Sequence, residues 1–296
     1  MQSMQSLWMV VSALFFAFYA AFVKVANLEG IGAFEILFYR SSFGLIFFFF
    51  LMHARGIVIT SKYPLHHTIR ATIGTTSVLC GIYSISHLNI GLAMTLNYTT
   101  PLFIGLFAIV GALLAHRCIN WKLIASLIFG FIGVITLLSP TISPEEYGAA
   151  SIGLCAGLCT AIAASYVKKL GMLGEPEERI LFYFVLVGTL AGFIGTLFTG
   201  GLSLPNLRGF GSIAGFMICS TLAQMCLTRA FSRGNIVLSG ALQYTVILFS
   251  TLLGELVFGE PVSVSIVIGM IIIVISGVAA SFFTRQGCSK QSLKSK

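Results

Sequence analysis

Aspartate is missing altogether: all nine acidic residues in the 296-residue chain are glutamate. Chemistry that needs an aspartyl phosphate, or an aspartate holding Mg²⁺, is therefore excluded. No G-x-x-x-x-G-K-[ST] loop is present, so the chain does not hydrolyse ATP unaided. The seven cysteines contain no C-x-x-C and most lie inside apolar runs, which argues against a disulfide framework or a zinc site. Cys155 and Cys159 share a helix face, where small apolar packing is the expected role. His53, His66, His67, His87 and His116 are not spaced as a metal site, and H-E-x-x-H and G-x-S-x-G are both absent. No enzyme activity, metal or cofactor is expected.

Charge is the other shortage. Charged residues make up 9% of the chain, against about 25% in soluble domains. Hydrophobic residues are 57%, and the mean hydropathy is +0.99. So little charge cannot cover a water-facing surface, and the chain reads as an all-α integral membrane protein with the lipid bilayer as its surroundings.

A helix needs about 20 mostly apolar residues to cross the hydrocarbon core. Ten segments qualify: 7–27, 32–53, 68–87, 91–113, 121–139, 149–169, 177–199, 209–230, 235–257 and 262–284. Of the prolines, Pro64, Pro140, Pro144, Pro176, Pro205 and Pro261 fall between or at the starts of these segments, and only Pro101 lies within one. The start, MQSMQSLWMVV, has no basic run before its apolar stretch and reads as a retained first span, not a signal peptide. With a cytoplasmic N-terminus, fourteen Lys and Arg fall on the inner side, among them Arg55, Lys62, Arg70 and Arg117, and two, Lys24 and Arg208, on the outer. That bias places both termini in the cytoplasm. The net charge of +8 then reflects topology and anionic lipid, not nucleic acid.

The tetrapeptide ILFY occurs at 36–39 and again at 180–183, an offset of 144. The same offset sets Lys24 on Lys168, Ala125 on Gly269 and Gly133 on Gly277. Two five-helix units, 1–140 and 141–284, follow, with a basic cytoplasmic tail at 285–296. Because five is odd, the second unit enters the membrane from the opposite side, as in inverted-repeat transporters.

FYRSSFG, AMTLNYTTPLF and IFGFIGVITLL in the first half, with TRAFSRGN, ALQYTVILFSTLLGELVFGEP and IGMIIIVISGV in the second, resemble the EamA type of the drug/metabolite transporter superfamily. The resemblance covers nearly the whole chain. It implies ten helices in two repeats, a multi-pass place in the bacterial inner membrane, and transport of small metabolites. Members include exporters of amino acids and importers of compounds such as S-adenosylmethionine. The family often carries a Glu after the fourth or ninth helix; Glu260 keeps it, whereas the first half has His116 and Arg117. Glu260 reads most simply as an acid favoured by the dipole at the start of the tenth span.

Arg40 lies roughly eight residues into the second span, about 12 Å from its outer end. An arginine there must pair, snorkel or face water. It serves either as an anchor for a carboxylate or phosphate, or as a fixed partner of Glu35 or Glu255, which are also the candidate coupling acids. Lys24 and Lys168, near span ends, are expected to snorkel. The candidate substrate cavity draws on Asn97, Tyr98, Thr99 and Thr100 of the fourth span, followed by Pro101 as a hinge, on Gln224 of the eighth, and on Gln243 and Tyr244 of the ninth. Tyr19, Tyr83 and Tyr166 are candidate aromatic walls. Glycines in GTLAG at 188–192 and GSIAG at 211–215 suggest close helix packing, and IFFFF at 46–50 a lipid-facing run. With no carboxylate at mid-depth, a neutral or zwitterionic metabolite fits best. The expected function is secondary transport of a small organic metabolite, such as an amino acid, by alternating access, with export favoured. Uptake of a nucleoside-like compound and a non-transporting scaffold are the competing readings.

Overall fold

The computed structural model describes residues 5, 7–114, 121–138, 143–202, 207–233 and 242–292. Among these there is no strand. The helices are α1 (Trp8–Leu28), α2 (Ala33–Ala54), α3 (Pro64–His87), α4 (Ile90–Asn97), α5 (Thr100–Leu114), α6 (Trp121–Leu138), α7 (Tyr147–Met172), α8 (Glu177–Phe198), α9 (Leu207–Arg233), α10 (Thr245–Phe258) and α11 (Val264–Ser292). His116, Arg117, Pro140 and residues 235–241 at the start of the expected ninth span lie outside the described residues. α11 continues through 285–292, so that part of the expected tail is helical.

Among the described residues, six stretches are long and apolar enough to cross a membrane: Trp8–Leu28, Ala33–Ala54, Ile90–Leu114, Tyr147–Met172, Glu177–Phe198 and Gly209–Ala230. α3 has the length, 24 residues, but its sequence is more polar, with His66, His67, Arg70, Thr75 and Ser77 along it. That polarity is explained by what it faces.

The helices pack mainly in pairs that join the first half of the chain to the second: α1 with α9, α2 with α8, α3 with α7, and α6 with α11. α1 also meets α10, and α7 meets both α4 and α5. Small residues form these seams. Ala13, Ala17 and Ala20 of α1 are buried, and Ser12 Oγ donates to the Ala223 carbonyl of α9 at 2.8 Å. Between α2 and α8, a Cβ at Gly192 would sit 2.6 Å from the Phe38 nitrogen, so the two backbones touch. Gly215 likewise leaves room for the Phe22 ring, but Gly211 faces open space, so the GSIAG stretch has one packing glycine. Large apolar side chains point outward instead, as lipid solvation requires: Ile46, Phe49, Phe50, Phe193, Leu197 and Leu248 are all exposed. Phe48 departs from the lipid-facing expectation, lying buried against Leu181, Phe182 and Val185.

The fourth span is interrupted. α4 stops at Asn97 and α5 starts at Thr100, with the turn at Tyr98–Thr99 immediately before Pro101. A proline has no N–H to continue a helix, and the break leaves carbonyls to satisfy. Thr99 Oγ1 donates to the Leu96 carbonyl (2.7 Å), and Thr100 Oγ1 to those of Asn97 and Gly157 (3.2 Å each). Gly157 of α7 allows this approach: its Cβ would lie 3.0 Å from the Leu96 oxygen.

Candidate functional site

Two helices end on a left-handed glycine followed by a glutamate. Gly174 has φ +80° and Gly259 φ +62°. In each case the next N–H bonds back across the last turn, Glu175 to Leu170 O at 3.1 Å and Glu260 to Gly254 O at 3.2 Å. Glycine adopts this conformation without a Cβ penalty. The turn then directs each carboxylate into the protein.

Glu260 is buried and forms an ion pair with Lys24 of α1. Its Oε2 accepts the Ile90 N–H at 2.8 Å, at the start of α4, where the helix dipole favours an anion. Lys24 Nζ also donates to the Leu88 carbonyl at 3.1 Å. Glu260 thus caps α4, not α11 as the sequence suggested, and Lys24 is held by an acid, not snorkelled. A Cβ at Gly254 would sit 2.5 Å from Glu260 Oε2, so that glycine makes the space. Leu88 and Ile90, whose backbone the pair engages, are almost fully buried.

Glu175 organises the opposite end. It accepts from Ser61 Oγ (2.7 Å) and from Arg179 Nη1 (2.7 Å), and its Oε2 lies 3.3 Å from Nε2 of the buried His67. The Tyr183 ring stacks on His67 at 4.6 Å, Tyr183 Oη donates to the Ile59 carbonyl, and Arg55 pairs with Glu178. The 55–62 segment is thereby clamped to the start of α8. Burial pushes the Glu175 carboxyl up, but the hydrogen bonds from Ser61 and Arg179, the Arg179 charge and His67 outweigh it, and its pKa is lowered. A carboxylate lowered on folding contributes stability above its unfolded pKa and loses it as pH falls through the folded one. The thermal midpoint in detergent is therefore expected to fall as pH drops below about 4, where glutamate titrates. Glu175→Gln is expected to flatten that fall; an equally steep fall in the variant would contradict the assignment.

Between these ends lies a cavity of about 150 Å³, room for about five waters. α1 contributes Phe16 and Tyr19, α2 Arg40, and α3 the row Arg70, Gly74, Ser77 and Gly81. The broken span contributes Asn97, Tyr98 and Thr100, and the second half adds Thr160, Phe184, Gln224 and Gln243. Of the residues singled out in the sequence, Tyr19, Arg40, Asn97, Tyr98, Thr100, Gln224 and Gln243 meet here.

The others do not. Tyr83 is exposed and stacks on His87 at 4.1 Å. Tyr166 lies edge-on to His66, 5.9 Å away. Thr99 faces α7 and serves the helix break. Tyr244 is buried against Gly277, whose missing side chain accommodates its hydroxyl. Glu35 is buried beside Tyr39, and Glu255 is exposed. Neither is the partner of Arg40. Nη1 of Arg40 donates to Tyr19 Oη at 3.3 Å, and its guanidinium lies 5.1 Å from the Tyr19 ring centre.

Arg70 is the residue whose role sequence reasoning missed, having counted it only among the inner-side charges. It is buried, lines the cavity and lies 4.0 Å from the centre of the Phe184 ring. A Cβ at Gly74 would lie 3.1 Å from that ring and 3.6 Å from Arg70 Nη1, so the glycine gives the stack its space. The signal was present: Arg70, Gly74, Ser77 and Gly81 recur at i, i+4, i+7 and i+11, one small-and-polar helix face. Two guanidinium groups, with no carboxylate among the described lining residues, make the cavity cationic.

The cavity, ringed by residues from both halves of a bundle with a lipid-facing exterior, suits a solute path better than catalysis. Known proteins agree. A Pseudomonas aeruginosa protein named pseudopaline exporter CntI is 27% identical over 274 residues, covering 92% of this chain and 94% of its own. An uncharacterized transporter of Helicobacter pylori is 22% identical over 215 residues, covering 71% and 70%. One solved crystal structure, 18% identical, matches the fold with a TM-score of 0.70 over 96% of this chain and all of its own. The EamA-like transporter family matches twice, at residues 3–139 and 148–282. Matched along nearly its whole length, the chain belongs to the EamA-like transporter family of the drug/metabolite transporter superfamily, and it is a multi-pass inner-membrane transporter, not an enzyme.

Proposed function

We propose that the chain is a secondary transporter that exports a small organic metabolite by alternating access through the cavity at Arg40. The observation that carries this is convergence: polar side chains from both halves meet around one space, while the outer faces of the same helices are apolar. Ten spanning helices form two five-helix units, 1–140 and 141–284, of opposite orientation. The helix pairing supports that reading. Exchanging the halves turns the α1–α9 pair into α7–α3, and α2–α8 and α6–α11 into themselves, the pattern two inverted copies produce. The Lys/Arg bias favours cytoplasmic termini even with Arg70 moved into the bundle. The Lys24–Glu260 pair, with its bonds to Leu88 and Ile90, then closes the outer side. Export is favoured by the relative named as an exporter.

The test is flux of a labelled metabolite panel, amino acids and organic acids included, in proteoliposomes with and without a pH gradient. Protein-dependent flux of at least one compound is expected. Flux equal to protein-free liposomes for every compound would leave a non-transporting scaffold.

A further inference from the structure

Both cavity arginines rest against an aromatic ring, Arg40 against Tyr19 and Arg70 against Phe184, and each guanidinium carries five N–H donors. Of those donors, one Arg40 nitrogen reaches Tyr19 Oη, whereas Arg70 Nε and Nη1 have no hydrogen-bond partner among the described residues. Neither arginine forms an ion pair there, and the cavity lining includes no glutamate. Each is more than nine-tenths buried, which rules out snorkelling to the headgroups. The two groups line the same cavity. Like charges in a low-dielectric interior repel, so this arrangement is costly unless an anion is to be received.

We propose that the cavity takes a small organic anion with two carboxylates, one for each guanidinium. The assignment rests on reading the cavity as the transport site, and it names the substrate class of that site. A guanidinium edge presents paired donors that match the two oxygens of a carboxylate. Asn97, Gln224 and Gln243 supply neutral donors and acceptors for the remainder of the solute. Phe184 has a role of its own here: at the 144-residue offset it is the counterpart of Arg40, and where one half carries the cation the other carries the ring that holds Arg70.

The test uses the purified full chain in detergent, with the thermal midpoint read against succinate and glutamate. Glutamine and leucine serve as zwitterions, lysine as a cation and inorganic phosphate as a dianion without carboxylates. At least one dicarboxylate is expected to raise the midpoint by a few degrees, above all the others. Arg40→Gln and Arg70→Gln are each expected to weaken that binding about 10- to 100-fold. Arg70→Lys, which keeps the charge but loses the fork, should weaken it less and retain the preference for dicarboxylates. Should the glutamine variants fail to fold, the wild-type ranking decides alone. Equal stabilisation by glutamine and leucine, or stabilisation by phosphate only, overturns the proposal. Counterflow of the same compounds in liposomes separates the two claims. Binding without flux defeats the transporter reading and leaves the anion assignment; flux of leucine without dicarboxylate binding does the reverse.

Discussion

Glu260→Gln is expected to destabilise the folded protein by about 3–5 kcal/mol, the usual cost of leaving one member of a buried ion pair without the other. Lys24 is only 17% exposed, and its other hydrogen bond goes to the Leu88 carbonyl, which cannot neutralise it. The Ile90 N–H at the start of α4 loses a charged acceptor for a weaker one. Because the damage comes from an uncompensated cation, removing the cation should repair it. Lys24→Met combined with Glu260→Gln is therefore expected to recover more than half of the loss. Equilibrium unfolding in mixed micelles reads both. A single variant as stable as the parent, or a double variant worse than the single, would show that the pair does not hold α1, α4 and the end of α10 together.

The second large effect is expected at the α2–α8 seam. Gly192→Leu places a side chain where the Phe38 nitrogen and Cα lie 2.6 and 2.7 Å from a Cβ. The obstacle is backbone, so no rotamer relieves it and the helices must part, at about 3 kcal/mol. Gly211→Leu, on a face with open space, is the matched control and should be tolerated. The seam also has a functional consequence. Arg40 lies two residues beyond Phe38 on α2, and Phe184, the platform for Arg70, is two turns before Gly192 on α8. Any Gly192→Leu protein that folds should lose its stabilisation by dicarboxylates. Retained stabilisation would mean that the seam does not position the arginines.

These sites differ in how far they could be read from the chain. Long apolar runs and the ILFY offset made the helices legible, because crossing lipid constrains composition more tightly than folding in water does. Arg40 stood out because its depth left it few fates. The break at Tyr98–Thr99 followed from Pro101. Arg70 was lost because it lies three residues into the expected third span, 68–87, where a cation is simply counted with the inner-side charges. The helix face running through Gly74, Ser77 and Gly81 would have recovered it. Tyr83 failed for the converse reason: two residues on from Gly81, it turns to the opposite side of α3. Tyr244 sits one position from Gln243, about 100° around the axis, and packs on Gly277 instead. The Lys24–Glu260 pair joins residues 236 positions apart, and no local pattern announces such a contact.

The most direct measurement asks whether the cavity at Arg40 is the path of the solute. In a background with the seven native cysteines replaced, Thr160→Cys puts one thiol in the cavity wall, and Thr199→Cys puts one just beyond the end of α8. Flux in proteoliposomes is then followed before and after a thiol reagent. Thr160→Cys is expected to lose its flux on labelling and to be protected by excess substrate, whereas Thr199→Cys keeps it. Full flux through a protein labelled at residue 160 would contradict the assignment of the cavity as the transport site.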